Sequence, residues 1–281
     1  MKFTTRFAPS PTGPLHLGHA YSALLSHDMA RAADGRFLLR IEDTDTSRSR
    51  PTWETQIYDD LSWLGLTWER PVMRQSEHLK HYNSKLMDLA ALGLIYPCSC
   101  RRSDIRAALS APQEGARANT SVYPGTCRQR NMNSRQPADA LRLNMARALD
   151  HLAHQTLKFH ETGKNHLGWH IISADNLRSA VGDVVLGRKE IETVSYVLAA
   201  VIDDAKQNIT TVIRGEDLFE TTFVQVVLQA LLNLPTPVYH HHTLIRDETG
   251  KRLAKRDDAR AIAKYRADGL SPKDIRLLIG L

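Results

Sequence analysis

The sequence predicts an α/β fold built on a parallel sheet, and three stretches of the chain carry that prediction. KFTTRFA and GRFLLRI have the composition of short strands, and the stretch between them has the apolar spacing of a helix. Two strands joined through a helix lie parallel in one sheet. Further along, ITTVIRG followed by FVQVVLQALLNL repeats the strand and helix pattern. We therefore expect an early and a late part of the chain to share an open α/β architecture.

The remaining elements follow from the same reasoning. Apolar spacing predicts helices from about Trp53 to Leu64 and from about His78 to Leu92. From Cys98 to about Arg135 the sequence becomes polar and contains Gly and Pro, which indicates an inserted lobe. We predict four segments: 1–97 as the first half of the main domain, 98–135 as the inserted lobe, 136–235 as the second half, and 236–281 as a loop and a short helical C-terminal region.

Composition limits the class of protein. The chain has 281 residues, 42% of them apolar, and a net charge of +6, which suits a polyanionic partner such as RNA. No apolar stretch reaches the roughly 18 residues of a membrane span, and the N-terminus lacks a secretory signal. We expect a cytoplasmic protein with no membrane partner. The four tryptophans are predicted to be packing groups: Trp53, Trp63, Trp68 and Trp169.

Two histidines stand at the predicted start of the first helix, in PLHLGHA. His16 and His19 are three positions apart and share a helix face, at the end where free backbone N–H groups favour anions. Gly18 between them leaves room for a flat group against the backbone. This arrangement predicts a phosphate or nucleotide site. The alternative is a helix start that collected two histidines, one of them as a cap.

A second histidine cluster, His240 to His242, predicts no metal site. Adjacent residues on a strand or loop point in different directions and cannot easily share one ion.

The two histidines belong to a longer pattern. FAPSPTGPLHLGHA resembles the HIGH signature of class I aminoacyl-tRNA synthetases, and GKRLAKR resembles their KMSKS loop, with arginine for its first lysine and alanine for its serine. The resemblance implies a Rossmann-type parallel sheet, ATP as substrate with Mg²⁺, and catalysis by His16, His19 and Lys255. It also implies a set of ATP-binding residues: Pro9, His16, Gly18, His19, Arg252, Lys255 and Arg256.

Within that class the chain is most similar to the glutamyl branch, through RFAPSPTG, RIEDTD, VIDDA and VIRGEDL. A glutamate site must hold two carboxylates and one ammonium. Forked guanidinium groups suit the carboxylates, and Glu42 suits the ammonium. Val197 departs from the family, which usually has a polar residue after the tyrosine. The resemblance implies a set of glutamate-binding residues: Arg6, Phe7, Ala8, Pro9, Ser10, Glu42, Tyr196 and Arg214.

The three cysteines of the chain lie within the predicted lobe. Three thiolates are one ligand short of a closed tetrahedral zinc site. The chain resembles a family of stand-alone paralogues of the glutamyl-tRNA synthetase core, in which a tyrosine completes the pattern C-x-C, Y-x-x-x-C. That resemblance implies one structural Zn²⁺ on Cys98, Cys100, Tyr123 and Cys127. The alternative is three plain thiols beside a core tyrosine.

The length of the chain after the KMSKS-like loop bears on the choice of RNA. Only 25 residues follow Arg256, fewer than a folded domain needs, so we expect no anticodon-binding domain and a monomer. The paralogue family activates glutamate without tRNA and transfers it to the queuosine base of the tRNA(Asp) anticodon. Two alternatives stay open: a minimal synthetase that charges tRNA(Glu), and an inactive paralogue that binds RNA.

Overall fold

The computed structural model describes residues 2–110, 122–189, 193–245 and 260–281. Its strands are β1 Thr4–Phe7, β2 Arg36–Ile41, β3 Glu69–Arg74, β4 Ile95–Cys98, β5 Ala140–Leu143, β6 Lys158–Glu161, β7 Gly168–Ile171, β8 Val185–Gly187, β9 Thr211–Gly215 and β10 Val238–His242. Its helices are α1 Leu17–Ala32, α2 Pro51–Trp63, α3 Leu79–Ala91, α4 Arg102–Ser110, α5 Met145–His151, α6 Ala174–Asn176, α7 Tyr196–Lys206, α8 Phe219–Leu231, α9 Ile262–Ala267 and α10 Pro272–Ile279. The KMSKS-like residues Arg252, Lys255 and Arg256 lie outside the described residues.

Parallel strands from both parts of the chain form the centre of the molecule. β1, β2 and β3 pair in parallel with β2 in the middle, and β10 lies parallel between β6 and β9. The backbone N–H of Thr210 donates to the Thr4 carbonyl over 2.9 Å, which sets β9 beside β1. The resulting order is β3, β2, β1, β9, β10, β6, with β7 antiparallel at the far edge. The predicted α/β fold with a parallel sheet is confirmed.

This strand order determines where a ligand can bind. From β1 the chain builds the sheet towards one edge through β2 and β3, and from β9 it builds towards the other edge through β10. Open α/β sheets bind ligands at such a reversal of strand order, beyond the carboxyl ends of the strands. The loop after β1 and the end of β9 therefore flank the crevice that the fold provides.

A second sheet, which is antiparallel, is formed by three strands that lie between β3 and β9 along the chain. β5 pairs with β4 on one side and β8 on the other. This sheet packs with α3, α5, α7 and α8 around a large apolar cluster that includes Leu143, Leu186 and Leu198. Helix α4 lies in the stretch that the sequence indicated as a polar lobe, and no helix was predicted there. The division of the chain into a lobe at 98–135 and two flanking halves stays a prediction.

The C-terminal helices pack against the first half of the molecule. α10 begins with Pro272 after a capping box made by Ser271 and Asp274, and it ends at Gly280 in the left-handed conformation. Ile275 and Ile279 are buried in the cluster that holds α1 and the β1–β2 pair. The short helical C-terminal region is thus docked on the parallel sheet domain.

One tryptophan contradicts the sequence-based interpretation. Trp169 is 64% exposed, and its neighbours on the same face of β7, Leu167 and Ile171, are exposed as well. Burial alternates along β7: His170 packs on Phe159, and the face that carries Trp169 is turned to solvent rather than into a core. In the described part of the chain, no helix is both long and apolar enough to cross a membrane.

Candidate active site

A cavity of about 330 Å³ opens at the crevice between β1 and β9. It contains most of the residues that the sequence assigned to ATP and glutamate, although they are scattered over more than 200 positions. The shared lining residues are Arg6, Phe7, Ala8, His16, Gly18, His19, Glu42, Tyr196 and Arg214.

Two predicted residues lie beside this cavity rather than in it. Ser10 lines an adjoining cleft, which shares Glu42 and Tyr196 with the main cavity. The carbonyl of Pro9 accepts the backbone N–H of Glu42 over 3.0 Å and so holds the strand end in place.

The two histidines of PLHLGHA begin helix α1 themselves. His16 is the N-cap, and its Nδ1 accepts the backbone N–H of Gly18 over 3.1 Å. The Nδ1 of His19 accepts the backbone N–H of His16, also over 3.1 Å, which completes a capping box. The capping alternative is therefore observed, and the same residues also line the cavity. A phosphate or nucleotide site at these histidines stays a prediction.

These caps determine the tautomer of both rings. An Nδ1 that accepts an N–H carries no proton, so each neutral imidazole carries its proton on Nε2. The ring centroids of His16 and His19 are 3.8 Å apart, so the two donors are presented as a pair. A pair of N–H donors at a helix start is suited to phosphate oxygens.

Gly18 is required by the same arrangement. A Cβ at this position would lie 3.0 Å from Cε1 and 3.2 Å from Nδ1 of His16, which is tighter than ordinary contacts. A larger residue would therefore push the His16 ring away from its capping position.

Behind the side of the cavity that Arg6 and Glu42 line lies a buried charge cluster, which we define as Arg6, Arg40, Glu42, Asp203 and Asp204. Asp204 accepts from Arg6 Nε over 2.9 Å and from Arg40 Nη1 over 2.8 Å. Arg40 also donates to Glu42 over 3.1 Å. Two guanidiniums face three carboxylates, so the cluster has one formal negative charge in excess.

The carboxylates of the buried charge cluster differ in their pKa. Burial raises the pKa of Glu42, against the effect of Arg40 and Arg6. Burial also disfavours the charged form of Asp204, but Arg6 and Arg40 outweigh it and lower its pKa to about 2. Asp204 thus balances the arginines. Glu42, at the cavity wall, is the carboxylate that a bound ammonium would stabilise.

The sequence analysis missed Arg40, Asp203 and Asp204 as participants. Asp203 and Asp204 stand in the VIDDA motif, and Arg40 within the otherwise apolar run FLLRI was an available signal for a buried ion pair.

Arg214, at the end of β9, is held from several sides. Its Nη1 lies 3.3 Å from the hydroxyl of Tyr196, and its Nη2 donates to Thr222 Oγ1 over 2.8 Å. Its Nε donates to His241 Nε2 over 3.0 Å. The guanidinium is buried except where it borders the cavity. It can receive a carboxylate there in a fixed orientation.

The three cysteines and the tyrosine of the predicted metal site come together. The sulfur atoms of Cys98, Cys100 and Cys127 all lie within 4.8 Å of one another. The Tyr123 hydroxyl lies 3.4 Å from Cys98 Sγ and 3.6 Å from Cys100 Sγ. Ligands at about 2.0–2.3 Å from a tetrahedral zinc are separated by about 3.4–3.8 Å, so these spacings fit the ion.

The chemistry of the donors also fits a cation. Burial acts to raise the pKa of Cys127, but hydrogen bonds from Ser99, Cys100 and Tyr123 outweigh it and bring the pKa to about 6. Burial raises the pKa of Cys100 and of Tyr123, so their anions need a positive partner. Zinc would supply that charge.

Each histidine of β10 contacts different partners, as the strand geometry predicts. Thr162 contacts His240, Glu161 and Arg214 contact His241, and Ser22 contacts His242.

The fold and the cavity are typical of an α/β enzyme domain whose ligand crevice lies at the carboxyl ends of parallel strands. Comparison with known proteins is consistent with this class. Residues 2–281 match the family described as tRNA synthetases class I (E and Q), catalytic domain, and the chain belongs to this family of ligases.

Its relatives within the family are more particular. The chain is 59% identical to glutamyl-Q tRNA(Asp) synthetase of Rhodobacter capsulatus over 99% of both chains. It is 40% identical to the protein of the same name from Burkholderia mallei, over 93% of this chain and 83% of that one. Among solved structures, a glutamate tRNA ligase from Elizabethkingia meningosepticum in complex with its amino acid aligns with a TM-score of 0.77 and 27% identity. The chain spans 60% of the length of that ligase.

Proposed function

We propose that this chain uses ATP to activate L-glutamate without tRNA, and then transfers the glutamyl group to the queuosine base at the anticodon wobble position of tRNA(Asp). One observation carries the proposal: a single cavity joins the two imidazole donors of α1 to the residues suited to an amino acid with two carboxylates. The names of the relatives support the choice of RNA.

Activation is a displacement at phosphorus. The α-carboxylate oxygen of glutamate attacks the α-phosphorus of ATP, the bond to the β-phosphate oxygen breaks, and pyrophosphate leaves. Negative charge builds on phosphate oxygens, so catalysis depends on positioning and on fixed donors. His16 and His19 present such donors through Nε2. Lys255 and its neighbours Arg252 and Arg256 would add positive charge from the KMSKS-like loop, and Mg²⁺ would accompany ATP.

Recognition of glutamate rests on charge. The ammonium is suited to Glu42 at the wall of the buried charge cluster, whose excess negative charge it would neutralise. Arg214 and the Tyr196 hydroxyl are suited to one carboxylate. Arg6, which lines the cavity and donates to Asp204, is suited to the other carboxylate. Phe7 and Ala8 also line the cavity.

The transfer step requires the adenylate to be attacked by a hydroxyl of the queuosine base, with AMP as leaving group. The net charge of +6 suits the RNA backbone. We place this activity in the cytoplasm, where tRNA is found.

We further propose that one structural Zn²⁺ is held by Cys98, Cys100, Tyr123 and Cys127. The ion would join β4 to the segment around Cys127 and so support a polar region that apolar packing alone holds weakly.

Two assays test the function. Glutamate-dependent exchange of pyrophosphate with ATP, measured without tRNA, should be active, and an absolute tRNA requirement would favour an ordinary synthetase. Glutamylation should then be found on queuosine-containing tRNA(Asp) and not on tRNA(Glu). Absence of exchange under all conditions would support the RNA-binding alternative.

A further inference from the structure

Behind Arg214 lies a row of three buried side chains that connects β9 to β10 and β6. Arg214 Nε donates to Nε2 of His241 over 3.0 Å, and Nδ1 of His241 lies 2.5 Å from Oε2 of Glu161. The side chains of His241 and Glu161 are fully buried. We call this row the Arg214 relay.

The protons in the Arg214 relay have one consistent arrangement. A guanidinium has donors and no acceptor, so Nε2 of His241 must accept and carries no proton. The ring is then protonated on Nδ1, which donates to Glu161. Burial lowers the pKa of His241, so the neutral ring is favoured. This tautomer is opposite to that of His16 and His19.

Both carboxylate oxygens of Glu161 accept hydrogen bonds in this arrangement. Its Oε1 accepts the backbone N–H of Gly163 over 2.6 Å and that of His241 over 2.8 Å, while Oε2 receives the imidazole. Burial disfavours its charge, but these hydrogen bonds outweigh burial and lower its pKa to about 2. A Cβ at Gly163 would overlap the His241 carbonyl, so glycine allows the close approach of the β6 end to β10.

The Arg214 relay fixes the rotation of the guanidinium. Nε is directed to His241, and Nη2 is directed to Thr222 and to the Leu218 carbonyl. These contacts leave the Nη1 edge beside Tyr196, at the cavity wall.

We propose that Glu161 and His241 are positioning residues that hold Arg214 in the orientation required for a carboxylate of glutamate. The proposal rests on the proposed function, because it assumes that this cavity binds glutamate. Neither residue lines the cavity. They act through Arg214: Glu161 keeps the proton of the His241 ring on Nδ1, so that Nε2 can accept from Arg214.

Glu161→Gln tests this with almost no change in shape. The amide oxygen will remain on the two backbone N–H groups, which places the amide N–H₂ opposite Nδ1 of His241. The ring must then accept at Nδ1 and carry its proton on Nε2, where it opposes Arg214 Nε. We expect the KM for glutamate in pyrophosphate exchange to rise on the order of 10- to 100-fold, because a buried donor loses its acceptor. The KM for ATP should stay within about twofold, since His16 and His19 are not part of the row.

A spectroscopic measurement reports the proton directly. The ¹⁵N chemical shifts of the His241 imidazole should show a protonated Nδ1 in the wild-type protein and a protonated Nε2 in the Glu161→Gln variant. A purely structural role for Glu161 would not exchange the two.

Two further variants serve as rescue and control. In His241→Gln, the amide offers one acceptor to Arg214 and one donor to Glu161, so the KM for glutamate should stay within about threefold of wild type. His240→Gln changes the neighbouring histidine, which contacts Thr162 instead, and should leave both KM values unchanged.

An unchanged KM for glutamate in a folded Glu161→Gln protein would overturn the inference, as would a wild-type ring protonated on Nε2. Loss of glutamate binding in His241→Gln equal to that in Glu161→Gln would also overturn it. A wild-type protein that shows no glutamate-dependent exchange would instead overturn the proposed function, and the ¹⁵N measurement would still report the tautomer.

Discussion

The buried charge cluster gives the sharpest prediction about stability, through Asp204→Asn. The substitution keeps the volume of the side chain but removes the charge that faces Arg6 and Arg40, at 2.9 and 2.8 Å. The carboxyl has a pKa of about 2 in the folded protein against an ordinary value of 3.8. That difference corresponds to about 2.5 kcal/mol at neutral pH.

Removing one partner of a buried ion pair typically costs about 3–5 kcal/mol, because the other charge stays buried. The asparagine oxygen can still accept one hydrogen bond, so we expect a loss of about 3 kcal/mol in the free energy of unfolding at pH 7. Urea unfolding followed by circular dichroism would measure it.

The neighbouring residue provides a matched control. Asp203 accepts from Tyr82 and Gln75, while Arg40 Nε is 3.8 Å away, and burial raises its pKa. Because the fold already disfavours its charge, Asp203→Asn should cost only about 1 kcal/mol. Equal losses for the two variants would refute our account of the cluster.

The pH dependence gives an independent check. A carboxyl whose pKa is lowered by folding stabilises the protein above its ordinary pKa and loses that contribution as the pH falls. The stability difference between wild type and Asp204→Asn should therefore be constant above about pH 5 and decline from about pH 4 to pH 2. A difference that stays constant down to pH 2 would show that Asp204 is not the stabilising anion.

Three further predictions concern the site. Gly18→Ala should raise the KM for ATP about tenfold, because the added Cβ displaces the His16 ring. The free energy of unfolding should change by less than about 1 kcal/mol, since alanine favours the helix while the cap weakens. A KM for ATP equal to wild type would show that the His16 ring is not displaced. Tyr123→Phe should weaken zinc retention against a chelator at least about tenfold, measured by metal analysis of the protein after dialysis; metal-free wild-type protein from a fresh purification would exclude the site. Lys255→Ala should lower the exchange rate about 100-fold and leave glutamate affinity unchanged, and a wild-type rate would remove the lysine from the mechanism.

The sequence was sufficient for the elements with a strong local pattern. β1, α1 and β2 lie within one or two residues of the bounds predicted from KFTTRFA to GRFLLRI. α8 begins at Phe219, four residues before the amphipathic stretch FVQVVLQALLNL, and ends within that stretch at Leu231. Helix α4 was missed because its nine residues lie in a stretch that was interpreted as a whole as a polar lobe containing Gly and Pro. Trp169 was misjudged because the sequence does not show which face of β7 is covered by other elements.

The site was predictable where a motif carried it and not where distant residues meet. The HIGH-like residues and Arg214 could be chosen from quoted motifs. Arg40 and Asp204 are 164 positions apart, and Glu161 and His241 are 80 apart. Nothing in the local sequence of either residue states that the other will be its partner. The pairing of β6 with β10 brings Glu161 to His241, whereas Arg40 on β2 meets Asp204 on helix α7.

The double duty of His16 has a consequence for how variants are interpreted. Replacing it with alanine would remove the cap of α1 and also the proposed hydrogen-bond donor to phosphate. A lower rate in that variant could therefore not be assigned to catalysis alone. Asparagine at this position would separate the two effects, because its short oxygen still satisfies the Gly18 amide but reaches no further. On the proposed function, one imidazole serves both the start of a helix and turnover, so an alanine replacement there removes two contributions at once.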